Sequence, residues 1–474
     1  MRCTLTSTVA LCAATLFTFG CDTTESTQTA TSDADALTDT GLTDAERVED
    51  AEAITDASVV ADAALPAPDA AQPIYAENCD DAVQHGLTFT PALCAHEITH
   101  QEGLEEITAS CGVATETPVH LHLNFPTEDP STTIAMLWTT GGDTRVSEVR
   151  LGNDPSALDQ VWHGHTFTHS QMEGRRLHEV HVCGLEPGRT YYYQAGGPGG
   201  WSEVASFTTA PVKDTDEEFT FAFAGDTRSE DFIMWNEALR AIDARGVDMM
   251  LFSGDLVDRG LMQDQWDGWF GAGDPYMSRL PFIPANGNHD WLSLNYLAHF
   301  ALPRNEENFH YRYGNALIIS VNDFPAMDPR AIRGRTREYL RDTLAAHQDA
   351  KWKFVVNHRA FFSASQHGST SVLQEEWLPF IDEYGVDMVF NGHDHNYERS
   401  KPIRNMEVVP MGEGTIYAIA AGIGAPLYEN GSEWWTEISE KVPSYGIVRV
   451  AGDRLEYTAY RLDGTMLDSF TWTK

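Results

Sequence analysis

The sequence predicts an all-β sandwich followed by an α/β domain, in a chain of 474 residues. That length exceeds what one ordinary core supports, so it indicates more than one domain. Between about residues 117 and 211, alternating apolar and polar runs are separated by Gly, Pro and Asp clusters, which is typical of a β-sandwich. From residue 217 onward, continuous apolar runs alternate with helical periodicity, which indicates sheets covered on both faces.

Residues 1–21 have the pattern of a signal peptide. Arg2 precedes an apolar run from Val9 to Phe19 that is too short to cross a bilayer. Gly20-Cys21 follows and resembles the lipobox of bacterial lipoproteins, although Thr18-Phe19 departs from the usual leucine-containing pattern. We therefore expect an exported protein, lipid-anchored at the bacterial cell envelope through Cys21. Export without lipidation, to the periplasm or the medium, is the alternative.

Residues 22–75 are predicted to form a disordered acidic tether. From Asp22 to Pro73 the chain has no Phe, Trp or Tyr and a single basic residue, Arg47, so it buries too little apolar surface to offset its chain entropy. The whole chain has a formal net charge of −40, which excludes nonspecific nucleic-acid binding because like charges repel. An anionic substrate would be repelled unless the charge at its binding site is reversed, and bound divalent cations reverse it.

Seven cysteines are present, three in the signal segment and four in the exported body: Cys3, Cys12 and Cys21, then Cys79, Cys94, Cys111 and Cys183. An even set in an oxidising compartment predicts two disulfides, with three possible pairings. We favour Cys79 with Cys94 and Cys111 with Cys183. Because no cysteine follows residue 183, a thiol nucleophile or a Cys-ligated zinc is excluded from the second domain.

Residues 117–211 form the predicted sandwich, after a Cys-containing lead-in at 76–116. Its strands are predicted at 120–125, 134–138, 179–182, 190–193 and 204–207. Three histidines in this region suggest a metal site, but we interpret them as solvated loop residues: His163, His165 and His169. The domain shows no catalytic chemistry of its own.

The second domain is predicted at residues 217–474. The periodicity of the sequence changes after the short acidic linker Lys213–Glu218. Apolar strands are predicted at 219–224, 247–252, 282–285, 353–356 and 387–390, with helices at 231–244 and about 333–347. The stretch from Thr415 has no clear helical periodicity, and we expect its strands to complete a second sheet.

Five polar clusters follow these apolar strands: Gly225-Asp-Thr-Arg228, Gly254-Asp-Leu-Val-Asp258, Gly287-Asn-His-Asp290, Val355-Val-Asn-His358 and Gly392-His-Asp-His395. The carboxyl ends of strands in open α/β sheets form ligand crevices. Carboxylate and amide oxygens suit hard divalent ions, and imidazole suits zinc or iron. A single Gly-Asp is usually a turn and a single His is usually structural. Five clusters in order at strand ends, however, indicate a dinuclear metal site.

This set of clusters resembles the calcineurin-like metallophosphoesterase superfamily over about residues 219–400. The stretch Gly184–Tyr193, ending near Phe207–Pro211, resembles a fibronectin type III module, specifically the one that precedes the catalytic domain in purple acid phosphatases. The resemblance implies α/β/β/α layers and two divalent ions, iron, manganese or zinc. It implies Asp226, Asp255 and His395 as ligands of the first ion. For the second it implies Asp255, as the bridge, with Asn288, His358 and His393.

The resemblance also implies hydrolysis of a phosphate ester by in-line attack of a metal-bound hydroxide. A phosphomonoesterase of broad specificity is the leading hypothesis. A phosphodiesterase or nucleotidase on the same metal core is the alternative, and a surface-binding protein with an inert fold is a different class. All six implied ligands are chemically competent, which argues against an inert site.

Further residues are candidates for roles beside the metals. His289 matches a family histidine that contacts phosphate, and Asp290 is a candidate to orient it. His367 lies in the loop that supplies a pocket histidine in purple acid phosphatases. We interpret it as the group that protonates the leaving group, with an ordinary surface histidine as the alternative. Arg359 and Arg399 are interpreted as structural ion-pair partners.

The chain departs from its relatives at two positions. Asp258 stands where purple acid phosphatases carry the tyrosine whose charge transfer to ferric iron gives the colour. Weak coordination and hydrogen bonding both remain open for Asp258. Arg228 stands where many superfamily members have a ligand histidine. Its planar guanidinium suits a phosphate oxygen. An ion pair with a nearby carboxylate is the alternative. We therefore expect a colourless enzyme whose first metal site is the looser.

Overall fold

The computed structural model describes residues 75–229, 231–304, 306–324 and 330–474. The predicted signal peptide at 1–21 and the predicted tether, except for Tyr75, lie outside these residues. Across the described ranges, no helix combines the length and the apolar character needed to cross a membrane.

The first domain is a sandwich of two antiparallel sheets, as predicted. Its strands are β1 (Thr88–Phe89), β2 (Ile98–Thr99), β3 (Leu104–Ala109), β4 (Val119–Asn124), β5 (Thr133–Gly141), β6 (Glu148–Gly152), β7 (Gln160–His163), β8 (His165–His169), β9 (Arg175–Cys183), β10 (Thr190–Gly197), β11 (Gly200–Trp201) and β12 (Ala205–Thr208). One sheet has the order β3-β8-β9-β5-β4, and the other β11-β10-β6-β7 with β12 beside β10. Trp138, Leu151 and Phe207 are buried in its core because inward-facing positions alternate along each strand.

The sandwich extends beyond its predicted start. Strand β3, predicted as lead-in, pairs with β8 at the edge of the five-stranded sheet. The prediction that the three histidines lie in loops was wrong: His163 ends β7, and His165 and His169 begin and end β8. His165 and His169 are buried, because β8 lies between β3 and β9 rather than on the surface.

The predicted disulfide pairing was also wrong. Cys79 is bonded to Cys111 and Cys94 to Cys183, with Cα–Cα distances of 5.1 and 5.4 Å, within the usual range. Both bonds join the lead-in to residues beside sandwich strands, since Cys111 follows β3 and Cys183 ends β9. The pairing therefore follows from how the lead-in lies on the sheet and not from sequence proximity.

The second domain contains two mixed sheets. Its strands are β13 (Phe219–Ala224), β14 (Met249–Phe252), β15 (Phe282–Pro284), β16 (Phe309–Tyr313), β17 (Ala316–Ser320), β18 (Trp352–Val356), β19 (Met388–Asn391), β20 (Tyr397–Ser400), β21 (Ile403–Arg404), β22 (Glu407–Val408), β23 (Ile416–Ala420), β24 (Thr436–Glu440), β25 (Ser444–Ala451), β26 (Arg454–Arg461) and β27 (Met466–Thr473). Its helices are α1 (Ile233–Asp243), α2 (Gln263–Gly273), α3 (Leu294–His299), α4 (Arg335–Ala346), α5 (Ser371–Glu376) and α6 (Leu378–Tyr384).

The strand orders are β15-β14-β13-β25-β26-β27 and β16-β17-β18-β19-β23-β20-β24. Strands β13, β14 and β15 are parallel in the first sheet, and β17, β18, β19 and β23 are parallel in the second. The expectation that the C-terminal strands complete the second sheet holds for β23 and β24 only. Strands β25 to β27 extend the first sheet, because β25 pairs with β13.

These sheets and helices form α/β/β/α layers. The sheets meet through aromatic contacts, such as Phe223 with Phe390, whose ring centroids lie 4.5 Å apart. Helices α1 and α2 cover the first sheet, where Trp235 contacts Phe252. Helices α4 and α6 cover the second through a cluster that contains Leu340 and Ile381. Alternate residues of the central strands thus face a sheet on one side and helices on the other.

The two domains share one continuous hydrophobic core. At their boundary, the side-chain amide of Asn124 donates to the carbonyl of Phe282 at 2.8 Å. The hydroxyl of Tyr193 donates to the carbonyl of Ser278 at 2.6 Å. Because Phe282 begins β15, the sandwich supports the strand that leads to the Gly287–Asp290 cluster.

Candidate metal centre

Five strands from both sheets deliver polar residues to one place. Strands β13, β14 and β15 are followed by Asp226, Asp255 and Asn288, and β18 and β19 are followed by His358, His393 and His395. Donor atoms of Asp226, Asp255 and His395 lie within 4.8 Å of one another, as do those of Asp255, His358 and His393. Asp255 belongs to both groups, so the arrangement offers two adjoining sites with a shared carboxylate.

Asn288 joins the second of these groups. Its Oδ1 lies 3.0 Å from Nε2 of His358, and Nδ1 of His393 lies 3.2 Å from that same nitrogen. The structure therefore brings together all six side chains that the sequence singled out as potential ligands.

The backbone at these positions is unusual. Asp226, Asp255 and His393 have φ values of 59°, 55° and 68°, in the left-handed region that non-glycine residues rarely adopt. Such strain collects at functional sites, where the surrounding structure must hold it. The backbone at Gly254 lies close to that at Gly287, since a Cβ on Gly254 would lie 2.8 Å from the backbone nitrogen of Gly287. The glycine before Asp255 therefore permits the contact between two of the clusters.

Backbone carbonyls orient two of the histidines. Nδ1 of His358 donates to the carbonyl of Ser253 at 2.7 Å, and Nδ1 of His395 donates to that of Pro426 at 2.6 Å. In each ring, Nε2 is therefore the nitrogen that faces the other donors and is available to an ion, as is usual in metal-binding histidines. These Nε2 atoms lie 3.4 Å from Asp255 and 3.3 Å from Asp226 respectively.

The pKa values at this site show an excess of negative charge. Burial alone would lower the pKa of His358, but Asp255, Asp226 and Asp323 raise it to about 10. Burial and, after it, the nearby Asp255 carboxylate together raise the pKa of Asp290 to about 7. Buried carboxylates need cations as partners. The donor set and its charge therefore fit two divalent ions.

Asp290 does not occupy the orienting position that we expected. Its carboxylate is fully buried and accepts hydrogen bonds from four backbone N–H groups at 2.8–3.3 Å: those of Asp255, Leu256, Val257 and Gly287. Nδ1 of His289 instead donates to the carbonyl of Asp258 at 2.8 Å. Asp290 therefore holds the loop that carries Asp255, and Asp258 orients His289.

Arg228 lies beside the first group of donors. Its Nη1 is 3.3 Å from a carboxylate oxygen of Asp258, and its Nε is 3.5 Å from one of Asp255. Its Nη2 lies 3.4 Å from Nε2 of His395. The ion pair, which was the alternative interpretation of Arg228, is thus present. Asp258 takes part in it by hydrogen bonding to the guanidinium.

Two residues at the site carried no signal in the sequence. The ring of Tyr428 stacks on His395 with centroids 4.2 Å apart, and its hydroxyl lies 3.4 Å from Arg228. The buried Asp323 accepts a hydrogen bond from the Asn357 side chain at 2.7 Å and pairs with Arg359. Asp323 follows β17, and Tyr428 lies in the loop between β23 and β24, both outside the five clusters, so only the fold places them here.

His367 lies next to the second group of donors. Its ring stacks on His393 with centroids 4.1 Å apart. Its backbone N–H donates to Asp394 at 2.8 Å, and the hydroxyl of Ser363 donates to the same carboxylate at 2.6 Å. Asp394, between the two histidines of the last cluster, thereby holds an exposed histidine at the edge of the site. Arg399, in contrast, pairs with Asp468 in a structural ion pair.

Two family models match this chain. Residues 118–209 match the N-terminal domain of purple acid phosphatases. Residues 219–397 match the calcineurin-like phosphoesterases. The first range covers the sandwich from β4 to β12, and the second covers the part of the second domain that carries all five clusters.

Similar proteins agree with these models. Purple acid phosphatase 21 of Arabidopsis thaliana is 27% identical over 62% of this chain and 69% of its own length. Acid phosphatase type 7 of Mus musculus is 27% identical over 62% of this chain and 73% of its own. Among solved structures, a purple acid phosphatase from yellow lupin seeds shares the fold, with a TM-score of 0.66 at 20% identity, over 80% of this chain and 76% of that one.

Proposed function

Because the chain belongs to the purple acid phosphatase-like branch of the calcineurin-like metallophosphoesterases, we propose that it is a phosphomonoesterase of broad specificity. It is a metal-dependent phosphoric ester hydrolase, and members of its family use a dinuclear centre of iron, manganese or zinc. The observation that carries the proposal is the shared carboxylate of Asp255 between two groups of buried or half-buried donors.

The proposed ligands are Asp226, Asp255 and His395 for the first ion and Asp255, Asn288, His358 and His393 for the second. Two ions at such a centre lower the pKa of a bound water and stabilise charge on the attacking and leaving oxygens. The first group contains two carboxylates and one imidazole, and the second adds an amide oxygen and two imidazoles. These are the donor types that iron, manganese and zinc accept.

Three residues beside the metals are proposed to act on the substrate. His289, positioned by the carbonyl of Asp258, contacts the phosphate. Arg228 presents a planar guanidinium to a phosphate oxygen. His367, at the exposed edge, protonates the leaving group. Asp290 is not proposed to contact the substrate, because its carboxylate accepts hydrogen bonds from backbone N–H groups of the loop that carries Asp255.

The decisive experiment compares hydrolysis of p-nitrophenyl phosphate with that of bis-p-nitrophenyl phosphate by protein reconstituted with iron, manganese or zinc. We expect faster turnover of the monoester. Faster turnover of the diester would identify a phosphodiesterase on the same metal core. Turnover of neither, with both ions bound, would identify a binding protein with an inert fold.

The active enzyme is expected to be colourless. In purple acid phosphatases the colour comes from a tyrosinate bound to ferric iron, and Asp258 stands at the corresponding position. In the structure that carboxylate pairs with Arg228 and lies 3.3 Å from Nδ1 of His289. Absorption spectra of the active, metal-loaded protein should therefore lack an intense visible band. An intense band that disappears on reduction would contradict this prediction.

Replacing Arg228 with alanine is expected to lower kcat/KM while the metal content stays intact. A charge-assisted hydrogen bond to phosphate contributes about 1.5–3 kcal/mol, or roughly a 10- to 100-fold change in rate. Steady-state kinetics and elemental analysis measure the two quantities. Because the guanidinium competes with the first ion for Asp255 and His395, its removal should not weaken metal binding.

Arg259 provides a matched control for Arg228. Its guanidinium contacts the same Asp258 carboxylate, at 3.7 Å, but its side chain is 71% exposed. Arg259→Ala should leave the kinetics unchanged. If Arg228→Ala has wild-type kinetics, Arg228 does not bind the phosphate and its role is the ion pair seen in the structure.

For localisation, we propose export and lipid attachment at Cys21, from the apolar run and the Gly20-Cys21 sequence that follows it. Wild-type protein expressed in a bacterium should enter the detergent phase in a phase-partition assay, and Cys21→Ser should not. Cys12→Ser, a cysteine inside the apolar run, is the control and should behave as wild type. Soluble wild-type protein with an unmodified N-terminus would rule out lipidation.

A further inference from the structure

A second cluster of potential metal ligands lies in the β-sandwich. Donor atoms of His100, His165 and Glu179 lie within 4.8 Å of one another, and the three residues are 5%, 3% and 3% exposed. Nε2 of His165 lies 2.8 Å from Nε2 of His100 and 3.9 Å from Oε2 of Glu179. Two ligands of a tetrahedral zinc ion lie roughly 3.3–3.5 Å apart. One observed distance is shorter than that spacing and the other is longer. Small shifts of the three side chains would therefore place their donor atoms as three ligands of one ion.

Two more histidines fix the orientation of Glu179. Nε2 of His181 lies 2.6 Å from Oε1 of Glu179, and Nε2 of His96 lies 2.7 Å from Nδ1 of His181. The His181 ring therefore engages one carboxylate oxygen and leaves Oε2 directed toward His165. A ligand carboxylate held by a hydrogen-bonded neighbour is the usual arrangement around protein-bound metals.

An independent observation comes from a cavity of about 30 Å³ beside this cluster, which is lined by Glu179, His181, His96 and Glu306 among others. Glu306 is 7% exposed, and within the described part of the chain its Oε2 has no hydrogen-bond partner. Arg304 lines the same cavity but pairs with Glu128 at 2.9 Å. Glu306 thus adds a second buried carboxyl group beside Glu179, and a divalent cation would compensate the charge of such a pair.

The position of the cluster indicates what an ion would do. His100 follows β2 in the lead-in, His165 begins β8, and Glu179 lies in β9. Within the described residues, the regular structure of the lead-in before β3 is a 3-10 turn at Cys79–Asp81 and the two-residue strands β1 and β2, so it has little regular structure of its own. We propose that His100, His165 and Glu179 bind one structural zinc-type ion that fixes the lead-in to the sandwich. Imidazole and carboxylate ligands suit such an ion, and structural ions contribute directly to folding.

The experiment counts zinc in a protein that lacks the catalytic pair, so its outcome is independent of the proposed function. Asp255→Ala protein is stripped with a chelator, reloaded with Zn²⁺, freed of excess metal and analysed by mass spectrometry of the elements. We expect one zinc per chain, and none after the further change His165→Gln. Reloading should raise Tm by several degrees in the first protein and not in the second.

His163→Gln, in the same Asp255→Ala background, is the control. His163 lies two residues before His165, and its contact to a carboxylate is with Glu148, at 3.9 Å, so this variant should keep one zinc. Glu179→Gln, which preserves the shape of the side chain, replaces His165→Gln if the latter does not fold, and it should also lose the zinc. Absence of zinc from folded Asp255→Ala protein, or unchanged zinc in the folded cluster variants, would reduce the cluster to a hydrogen-bonded network and overturn the proposal.

Discussion

Asp255→Ala is expected to lose both catalytic metal ions and to lower kcat by at least about a thousand-fold. One carboxylate serves both groups of donors, so its removal weakens two sites together. Two-metal centres supply several kcal/mol of transition-state stabilisation, and each 1.36 kcal/mol corresponds to a factor of ten. Elemental analysis should be made with the sandwich cluster removed by His165→Gln, so that zinc bound there is not counted.

The matched controls separate the bridging role from a general effect of removing an aspartate. Asp243→Ala removes a half-buried carboxylate that pairs with Arg279, away from the metal centre, and it should leave metal content and turnover unchanged. His393→Ala should remove only the second ion, because His393 belongs to one group of donors. Loss of a single ion from Asp255→Ala, with the other still tightly held, would contradict a bridging carboxylate.

Asp290→Ala is expected to lower the free energy of unfolding by about 3–5 kcal/mol, because four backbone N–H groups lose their acceptor in a fully buried position. Urea denaturation of the metal-free protein measures the change without a contribution from lost metal. Asp290→Asn keeps the shape and one carbonyl acceptor, so it should fall between wild type and alanine.

Asp248 provides a comparison in the same domain. It precedes β14, and its carboxylate accepts a hydrogen bond from the Thr220 N–H at 2.7 Å. Asp248→Ala should lower the free energy of unfolding by about 1 kcal/mol, the usual contribution of one such bond. An effect of Asp290→Ala no larger than that of Asp248→Ala would show that the Asp255 loop does not depend on Asp290.

The sequence by itself determined the order of the two domains and the residues that gather at the strand ends. Apolar runs such as Phe219–Ala224 identify strands because a doubly covered sheet admits no polar face. Glycine followed by a polar residue marks the turn after each such strand, and strand direction then carries those residues to one edge. These signals are local, and the predicted helix at 231–244 was accordingly found at Ile233–Asp243.

Only the tertiary structure decided which distant segments meet. The disulfides join Cys79 to Cys111 and Cys94 to Cys183 because the lead-in lies against the segment after β3 and against β9, contacts that no local pattern announces. Strand β25 joins the first sheet by pairing with β13, more than two hundred residues earlier. Asp290 turns to the backbone of the Asp255 loop because those N–H groups are buried beside it and have to be satisfied. In each case the deciding free energy comes from contacts between residues far apart in the chain, and the order of residues within one segment does not encode it.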